Sequence, residues 1–465
     1  MVKTPDRRQA SKAGSTGTTM DALVSLAKRR GFVYPGSDIY GGLANAWDYG
    51  PLGAELKNNI KRLWWERFVH RHDDIVGLDA AIIMNPKVWA ASGHLSGFAD
   101  QLVDCRSCKE RFRADHVGVA HGGATDHIGT DAACPNCGKK GAFTKPRKFN
   151  LMFKTFIGPA EDEAHVAYLR PETAQGMFVD YKQVLDSTRV KLPFGMAQIG
   201  KAFRNEITPG NFIFRTREFE QMEIEYFFAP PASDAAWQEI FEQWRAEILA
   251  WIKQVGIDPA RVHEVEVPDG ERAHYSKRTV DFEFDFPFGQ EELYGLAYRT
   301  NFDLSAHGKA SNEQLTYTDP ETKQSFVPHC IEPSMGLDRT LLALLVSAYR
   351  QDGERVYLAL PPAVAPYKAA VFPLLRNKPE LVKKARAVYE ALRKDFYVMW
   401  DDRGNIGKRY YAQDEIGTPV GLTVDFDTLK DDTVTWRDRD TAGQERVKVS
   451  ELAARLSKLI SGASD

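Results

Sequence analysis

Two polar runs joined by a turn constrain the fold of this chain more than any other feature of its sequence. The runs are residues 203–206 (FRNE) and 217–223 (REFEQME), and the segment between them carries Pro209-Gly210-Asn211. A Pro-Gly step marks a turn between two periodic segments. The runs therefore predict the two strands of a β-hairpin, in which Arg204 and Glu206 share one face.

The same alternation divides the second run and the residues after it into two faces. The predicted polar face carries Arg217, Phe219, Gln221 and Glu223, and the apolar face carries Met222, Ile224 and Tyr226. A wall with guanidinium, aromatic and carboxylate groups suits a nucleoside triphosphate and a small cationic group. From these residues alone, a half-buried hairpin with a charged face in solvent is an equally open interpretation.

Four of the five cysteines form two knuckles, Cys105-x-x-Cys108 and Cys134-x-x-Cys137. Two such knuckles predict one tetrahedral zinc ion, and four thiolates leave it no open position, which indicates a structural site. Two disulfides and reactive redox thiols are the alternatives, although the polar N-terminus lacks the apolar segment of a secretory signal. Three histidines between the knuckles are alternative ligands: His116, His121 and His127.

The length and charge of the chain limit its class. A chain of 465 residues predicts two or three domains. The net charge of −3 gives no overall attraction for nucleic acid, but local basic surface decides RNA binding. The longest apolar run, residues 341–348, is too short to cross a bilayer. We expect a cytoplasmic protein whose polar residues 1–19 form a disordered tail, with a short transit peptide as the alternative.

Hydrophobic periodicity predicts the elements of two domains. Helices are predicted over 20–30, 54–70 and 237–255, and strands over 80–84 (ending at Pro86), 280–286, 293–298 and 325–331. Residues 100–148 contain no long apolar run and read as an inserted module. A boundary is predicted near 349–355. Beyond it the pattern is strand 369–372, helix 379–395, strands 398–400 and 420–424 and helix 449–460, which predicts a compact α/β domain.

A second strand-to-helix junction follows at residues 329–342 (HCIEPSMGLDRTLL). Cys330, Glu332 and Ser334 share one face of the predicted strand. Arg339 lies in the first helical turn, where the helix dipole favours an anion, so we predict a bound anion beside it. An ordinary surface arginine is the alternative. Basic clusters at 383–386, 393–394 and 407–411 are either RNA-binding or simply solvated.

These residues resemble a known family. FRNE followed by a loop and REF resembles the second signature motif of class II aminoacyl-tRNA synthetases, and GLDR at 336–339 resembles the third. The helix over 54–70 with the segment before Pro86 is similar to the first motif, which in that class builds the dimer interface. WDYGPLG at 47–53, LRPETAQG at 169–176 and IEPS at 331–334 resemble, more narrowly, homodimeric glycyl-tRNA synthetases of subclass IIa. DEIGTP at 414–419 is similar to their anticodon-binding domain.

The resemblance implies a fold and a domain plan. It implies an α+β catalytic core with a mainly antiparallel sheet, a small zinc-ribbon-like insertion and a C-terminal α/β anticodon-binding domain. The implied catalytic domain covers 20–350, with the zinc-binding insertion at 100–148 and a second insertion at 229–290. The implied anticodon-binding domain covers 356–465.

The resemblance also implies a reaction. Glycine is activated with ATP to glycyl-adenylate and pyrophosphate, and the glycyl group is transferred to the 3′ end of tRNA(Gly). Mg²⁺ and structural Zn²⁺ are the implied cofactors, and the implied partners are ATP, glycine, tRNA(Gly) and a second subunit. A catalytically inactive, synthetase-like nucleic-acid-binding subunit is the alternative, but such paralogues usually lose phosphate-binding arginines that this chain keeps.

The resemblance assigns the site residue by residue. Arg204 and Arg339 are the catalytic arginines. Arg204 is assigned to the α-phosphate and the glycine carboxylate, and Arg339 to the γ-phosphate. Phe219 stacks on adenine, and Glu206 helps to place either that adenine or the terminal adenosine of tRNA. Arg217 contributes to the ATP site, and Glu292 is the candidate magnesium ligand. The glycine site is assigned to Glu223, Glu332 and Ser334, with Arg170, Glu172 and Gln175 on the adjoining loop. Cys330 is predicted to pack rather than act as a nucleophile.

Overall fold

The computed structural model describes residues 18–114, 117 and 132–462. The predicted tail, except residues 18 and 19, and the three candidate histidines lie outside the described residues. The α-helices are α1 (Met20–Arg30), α2 (Pro51–Trp65), α3 (Pro86–Ala91), α4 (His94–Gly97), α5 (Ala174–Val179), α6 (Tyr181–Ser187), α7 (Asp234–Val255), α8 (Phe302–Ser311), α9 (Leu337–Ala348), α10 (Pro379–Leu392), α11 (Ile406–Glu415), α12 (Thr428–Asp431) and α13 (Leu452–Ser461).

The strands are β1 (Val33–Pro35), β2 (Trp47–Tyr49), β3 (Ile75–Gly77), β4 (Ala99–Asp104), β5 (Arg111–Arg113), β6 (Arg147–Asn150), β7 (Lys154–Phe156), β8 (Val166–Tyr168), β9 (Phe194–Phe203), β10 (Glu218–Phe228), β11 (Val262–Glu266), β12 (Arg278–Phe286), β13 (Gly289–Thr300), β14 (Tyr317–Thr318), β15 (Ser325–Phe326), β16 (His329–Gly336), β17 (Tyr349–Asp352), β18 (Arg355–Leu358), β19 (Ala369–Pro373), β20 (Val398–Trp400), β21 (Val420–Val424), β22 (Thr433–Asp438) and β23 (Gln444–Lys448).

A seven-stranded sheet forms the centre of the larger domain, in the order β11-β12-β13-β16-β10-β9-β3. Its neighbouring strands are antiparallel except β3, which runs parallel to β9. The predicted mainly antiparallel sheet is therefore confirmed. Helices α2, α7 and α9 pack on one face, and α5 contacts β9 and β10. Met222 and Ile224 of β10 join the core with α2, α7 and α9, as their alternation predicts.

The long amphipathic helices are confirmed with small shifts. The helix α1 begins and ends where predicted, and its end is capped by Gly31 in the left-handed region. The helix predicted over 54–70 begins at Pro51 and continues past α2 as a π-helical turn, Glu66–His70. Trp64 and Phe68 are fully buried, so the large rings of this helix cover the core of the same chain.

The strand predicted over 80–84 is wrong. Pro86 is the first residue of α3, and the Asn85 side chain caps that helix by accepting the Lys87 backbone N–H at 3.0 Å. Proline suits this position because the first helical N–H has no partner within the helix. The nearest strand of the central sheet, β3, lies earlier in the chain.

The C-terminal region forms the predicted α/β domain. Its five-stranded sheet has the order β20-β19-β21-β22-β23, in which β19 pairs in parallel with both neighbours. The predicted boundary near 349–355 is the hairpin of β17 and β18. Arg409, in a cluster predicted to be RNA-binding or solvated, is instead buried and donates to the backbone oxygens of Asp402, Gly404 and Pro373. It therefore supports the loop before α11.

The cysteine-bearing module is a three-stranded sheet with the order β5-β4-β6. It has its own small core, which includes Val103, Cys105, Cys134 and Phe143. Along the part of the chain that the structure describes, we find no helix that combines the length and the apolar character needed to cross a membrane.

Candidate active site

The strands β9 and β10 form the predicted hairpin, and their ladder ends at the pair Phe203 and Glu218. Arg204 and Glu206 follow the end of β9, so the prediction that they lie in a strand is wrong. The ladder stops because the Asn205 backbone N–H donates to the Leu151 carbonyl oxygen, at 2.7 Å, and the Glu206 N–H donates back to the Arg204 carbonyl oxygen, at 2.7 Å. One more hydrogen bond joins the two segments just beyond the strands, because the Arg204 backbone N–H donates to the Arg217 carbonyl oxygen at 2.9 Å.

An open cleft lies between this hairpin and the junction of β16 with α9. It is lined by Arg204, Glu206, Phe214, Arg215, Thr216, Phe219, Glu220, Gln221, Glu292, Leu293, Ser334, Gly336, Asp338 and Arg339. The structure thus brings together all the residues predicted for ATP except one. Arg217 donates instead to the carbonyl oxygen of Ala44, at 3.2 Å.

Arg204 lies at the inner end of this cleft between two aromatic rings. Its guanidinium carbon is 5.3 Å from the ring centres of both Phe98 and Phe219, and its Nε donates to the Pro171 carbonyl oxygen at 3.0 Å. These contacts fix the plane of the guanidinium. Nearby, Glu206 has a buried carboxylate oxygen, Oε2, without a hydrogen-bond partner among the described residues. A donor group on a ligand would satisfy it.

Arg339 lies on the opposite side of the cleft, in the first turn of α9 as predicted. Its Nη1 donates to the Glu292 carbonyl oxygen at 2.9 Å and lies 3.0 Å from the Glu292 carboxylate. The Phe214 ring supports the guanidinium at 4.5 Å. Arg339 holds the pKa of Glu292 below its usual value, and burial with Glu292 raises the pKa of Asp281 to about 7. This end of the cleft therefore pairs a guanidinium with an ionised carboxylate.

A buried acidic pocket adjoins the cleft. Glu223 on β10 is 2% exposed and accepts hydrogen bonds from the hydroxyls of Thr173, at 2.5 Å, and Ser334, at 2.7 Å. Glu332 on β16 accepts a hydrogen bond from Nη1 of Arg299 at 2.8 Å. Glu223, Glu332 and Ser334 thus meet in one place, as the sequence predicted.

The loop before α5 contributes to this pocket unevenly. Gln175 donates to the carboxylates of Glu172 and Asp303, at 3.0 Å each, and His94 lies 3.3 Å from Glu172. Arg170, predicted for glycine binding, donates to the carbonyl oxygens of Lys201 and Ala80 and to the Gln198 side chain. It therefore ties the loop to β9.

Four further residues of the pocket were missed by the sequence reasoning: Thr173, Glu225, Arg299 and Asp303. Arg299 is fully buried and binds both oxygens of Asp303 at 2.8 Å in addition to Glu332. Glu225 carries a sequence signal, because it continues the alternation of Glu223 by two residues. Arg299 carries none, because it lies at the end of the strand β13, where a polar residue could equally face solvent.

The electrostatics of the pocket favour a cation. Burial and the neighbouring carboxylates raise the pKa of Glu223 and of Glu225, and they raise the pKa of Glu332 to about 8 although Arg299 opposes this. Burial alone would also raise the pKa of Glu172, but His94 and Arg299 hold it well below its usual range. Arg299, the guanidinium that contacts Glu332, is shared with Asp303, and the Arg170 guanidinium is bound to backbone oxygens. A positively charged ligand would therefore be strongly stabilised here.

The four predicted zinc ligands lie together. The four sulfur atoms all lie within 4.8 Å of one another. The Sγ atoms of Cys105 and Cys137 are 3.7 Å apart, and so are those of Cys108 and Cys134. Tetrahedral zinc with Zn–S bonds of about 2.3 Å places its sulfur ligands about 3.75 Å apart. The four thiols therefore fit a structural zinc ion.

The cysteine-bearing module is attached beside the candidate catalytic arginine. Phe98, which precedes β4, contacts the Arg204 guanidinium. Leu151, which follows β6, accepts the Asn205 backbone N–H at 2.7 Å and donates its own N–H to the Phe98 carbonyl oxygen at 3.1 Å. Both ends of the module thus contact the segment that carries Arg204.

Two family models match this chain. The tRNA synthetase class II core domain (G, H, P, S and T) matches residues 153–348, and the anticodon binding domain matches residues 368–459.

Full-length relatives are similar throughout. The chain is 52% identical over 459 residues to the glycine–tRNA ligase of Thermobifida fusca (strain YX), which covers 95% of this chain and 98% of that protein. It is 53% identical over 458 residues to that of Clostridium kluyveri (strain ATCC 8527), with 93% and 97% covered. It is 50% identical over 465 residues to that of Alkaliphilus oremlandii (strain OhILAs), with 96% and 99% covered.

Proposed function

The chain belongs to the glycine–tRNA ligases, a family of class II aminoacyl-tRNA synthetases, and we propose that it charges tRNA(Gly) with glycine. The expected class II core and C-terminal anticodon-binding domain are confirmed by the matches over 153–348 and 368–459. The chain is an aminoacyl-tRNA synthetase, which favours the predicted enzyme over the alternative of an inactive binding subunit.

The proposed reaction has two steps. The glycine carboxylate attacks the α-phosphorus of ATP, a phosphorus–oxygen bond breaks, and pyrophosphate leaves glycyl-adenylate behind. A ribose hydroxyl at the 3′ end of tRNA(Gly) then attacks the acyl carbon, and AMP leaves. No protein nucleophile is required, so positioning and charge stabilisation supply the catalysis.

We propose that the cleft binds ATP. Arg204 holds the α-phosphate and the glycine carboxylate, Phe219 stacks on adenine and Arg339 binds the γ-phosphate. The shared cleft supports these roles, as does the unpartnered oxygen of Glu206, which suits an adenine amino group. We also propose that Arg217 contributes to ATP binding from outside the residues that line the cleft.

Class II synthetases use ATP and Mg²⁺. We propose that Glu292 holds the magnesium ion. Its half-exposed carboxylate lies in the cleft at 3.0 Å from Arg339, and Mg²⁺ prefers such oxygen ligands alongside phosphates. When bound, Mg²⁺ would neutralise charge on the phosphate oxygens.

The buried carboxylates beside the ATP cleft are the observation that carries the choice of glycine. Glu223, Glu332 and Ser334 meet where a small ammonium group would lie next to the α-phosphate, with Glu172 and Gln175 on the adjoining loop. Glycine offers no side chain to bind, so specificity depends on the ammonium and on walls that exclude a β-carbon. Exclusion by size needs no editing site, because no proteinogenic amino acid is smaller.

The remaining expectations complete the proposal. We propose one structural zinc ion on the four cysteines, supported by the sulfur spacing of 3.7 Å. We propose a cytoplasmic homodimer, supported by the highly exposed side chains of Ile39, Tyr40 and Leu43 in the segment leading to α2, which a second subunit would cover. The proposed domains keep the boundaries 20–350, with insertions at 100–148 and 229–290, and 356–465.

Pyrophosphate exchange into ATP, measured with each of the twenty amino acids, tests this function. We expect exchange with glycine alone, followed by glycyl transfer to tRNA(Gly) in a charging assay. Absence of exchange with every amino acid would contradict the activation step. Exchange with alanine or serine, but not with glycine, would contradict the specificity.

A further inference from the structure

Glu225 is a fully buried carboxylate in the acidic pocket to which the proposed function assigns no role. It follows Glu223 by two residues on β10, so both side chains lie on the same face. The Cys330 thiol donates to Oε2 of Glu225 at 3.0 Å, while Oε1 has no hydrogen-bond partner among the described residues. A buried acceptor without a donor destabilises the fold, and its retention indicates that a ligand supplies the donor.

The geometry of three carboxylates identifies that donor. One oxygen from each of Glu223, Glu225 and Glu332 lies within 4.8 Å of the other two. A primary ammonium group that donates three hydrogen bonds of about 2.8 Å in tetrahedral directions holds its acceptors about 4.6 Å apart. The three oxygens are therefore close enough together to accept hydrogen bonds from one –NH₃⁺ group.

The charges around these carboxylates favour a bound cation. The acidic groups that face one another are Glu172, Glu223, Glu225, Asp303 and Glu332. Arg299 and His94 are the basic groups paired with them, and the charge of Arg170 also acts on Glu223. Arg299 divides its hydrogen bonds between Asp303 and Glu332, and His94 faces Glu172. Among the described residues, the hydrogen-bond donors to Glu223 are two hydroxyls and one amide. Within the same part of the chain, the donor to Glu225 is the Cys330 thiol.

We propose that Glu225 is the third acceptor for the ammonium of glycine, and that Glu223, Glu225 and Glu332 together bind its three N–H groups. This inference rests on the proposed function of the pocket. It means that the pocket selects glycine by its unsubstituted ammonium group as well as by its lack of a side chain. An amine with one N–H replaced by a methyl group leaves one carboxylate without a donor and forces the methyl group against it.

Replacement of Glu225 tests the proposal. Glu225→Gln keeps the shape of the side chain but removes its charge and turns an N–H₂ group toward the ammonium. We expect the KM for glycine in pyrophosphate exchange to rise about 10- to 100-fold while the KM for ATP stays within about twofold of wild type. The unchanged KM for ATP also reports that the variant is folded.

Cys330→Ala is the matched control, because it removes the other contact of Glu225 and keeps the carboxylate. We expect its KM for glycine to stay within about threefold of the wild-type value. An unchanged KM for glycine in Glu225→Gln would overturn the proposal. An equal rise in both variants would also overturn it, since Glu225 would then act only through packing against Cys330.

A second measurement uses the wild-type enzyme and does not depend on the folding of a variant. N-methylglycine has the carboxylate and α-carbon of glycine but only two N–H donors. We expect it to inhibit glycine-dependent exchange with an inhibition constant at least about 100-fold above the KM for glycine. Comparable affinity for the two amines would overturn the proposal. Absence of glycine-dependent exchange in the wild type would contradict the proposed function itself, which is a different outcome.

Discussion

Asp338 and Glu220 join the two sides of the cleft that we propose for ATP. Oδ2 of Asp338 accepts the backbone N–H of Glu220 at 2.7 Å. Asp338 directly precedes Arg339, and Glu220 directly follows Phe219. This one hydrogen bond therefore fixes the distance between the guanidinium proposed for the γ-phosphate and the ring proposed for adenine.

Lys57 of α2 lies between the same two residues. Its ammonium group is ion-paired with the Glu220 carboxylate, lies 3.0 Å from Oδ1 of Asp338, and packs over the Tyr49 ring at 4.0 Å. Burial alone would lower the pKa of Lys57, but Asp338 and Glu220 raise it above its usual value. Lys57 thus stays charged in a buried position and holds both sides of the cleft to one helix.

Replacement of Lys57 should weaken ATP binding more than glycine binding. In Lys57→Met the buried carboxylate of Asp338 loses its cation, which typically costs about 3–5 kcal/mol of stability, whereas Glu220 keeps its ion pair with Lys61. We expect a lower Tm and a rise of about tenfold in the KM for ATP, because Phe219 and Arg339 are then no longer held in register. The KM for glycine should change by less than about threefold.

Lys61→Met is the matched control for this substitution. Lys61 also contacts Glu220, at 3.2 Å, but its side chain is 29% exposed and it does not bridge to Asp338. A half-exposed ion pair contributes about 1 kcal/mol or less, so the control should be close to wild type. Equal effects of the two substitutions would show that charge near Glu220, rather than the bridge to Asp338, sets the ATP site.

Arg204→Ala should abolish activation without unfolding the protein. Removal of a preorganised cation that stabilises transition-state charge typically lowers kcat about 10²- to 10³-fold. The Tm should change little, because the substitution removes one side-chain hydrogen bond among the described residues. That bond runs from Nε of Arg204 to the Pro171 carbonyl oxygen, at 3.0 Å. Arg204→Lys should recover only part of the loss, since lysine lacks the planar fork. Near-normal exchange in Arg204→Ala would contradict the assignment to the α-phosphate.

Substitution in the cysteine cluster should release zinc and slow activation. Metal analysis should find about one zinc per chain in the wild type and less in Cys108→Ser. Because Phe98 and Leu151 join the module to Arg204 and Asn205, we expect loss of the metal to raise the KM for ATP and to lower the Tm.

Cys330→Ser separates this effect from a general sensitivity to loss of a thiol. Cys330 lies outside the cluster of four, so its variant should keep the metal. Full activity in a zinc-free Cys108→Ser protein would show that the module is not coupled to Arg204. Loss of zinc in both variants would contradict the ligand assignment.

The sequence predicted the parts of the site that local patterns determine. Alternation along one strand predicted Phe219 and Glu223 on one face, and would have predicted Glu225 had it been followed two residues further. Arg299 could not be found in this way, because its role depends on Glu332, 33 positions away, and on complete burial. Pro86 was misread because proline both ends strands and begins helices, and only the capping contact of Asn85 decides between these roles.

The pH dependence of the KM for glycine should reveal the protonation of Glu332 in the empty pocket. Burial and the adjacent carboxylates Glu223 and Glu172 raise the pKa of Glu332 to about 8 in the free enzyme, against the effect of Arg299. An ammonium bound beside Glu332 favours the ionised carboxylate, so below about pH 8 glycine must displace a proton. The KM for glycine should therefore rise as the pH falls from about 8 to about 6.5, by up to about tenfold per unit for each proton released, and level off above about pH 8. The KM for ATP, measured over the same range, should not follow this curve. A KM for glycine that is constant over this range would show that the carboxylates are already ionised in the empty pocket, and one that falls with decreasing pH would contradict proton release on binding.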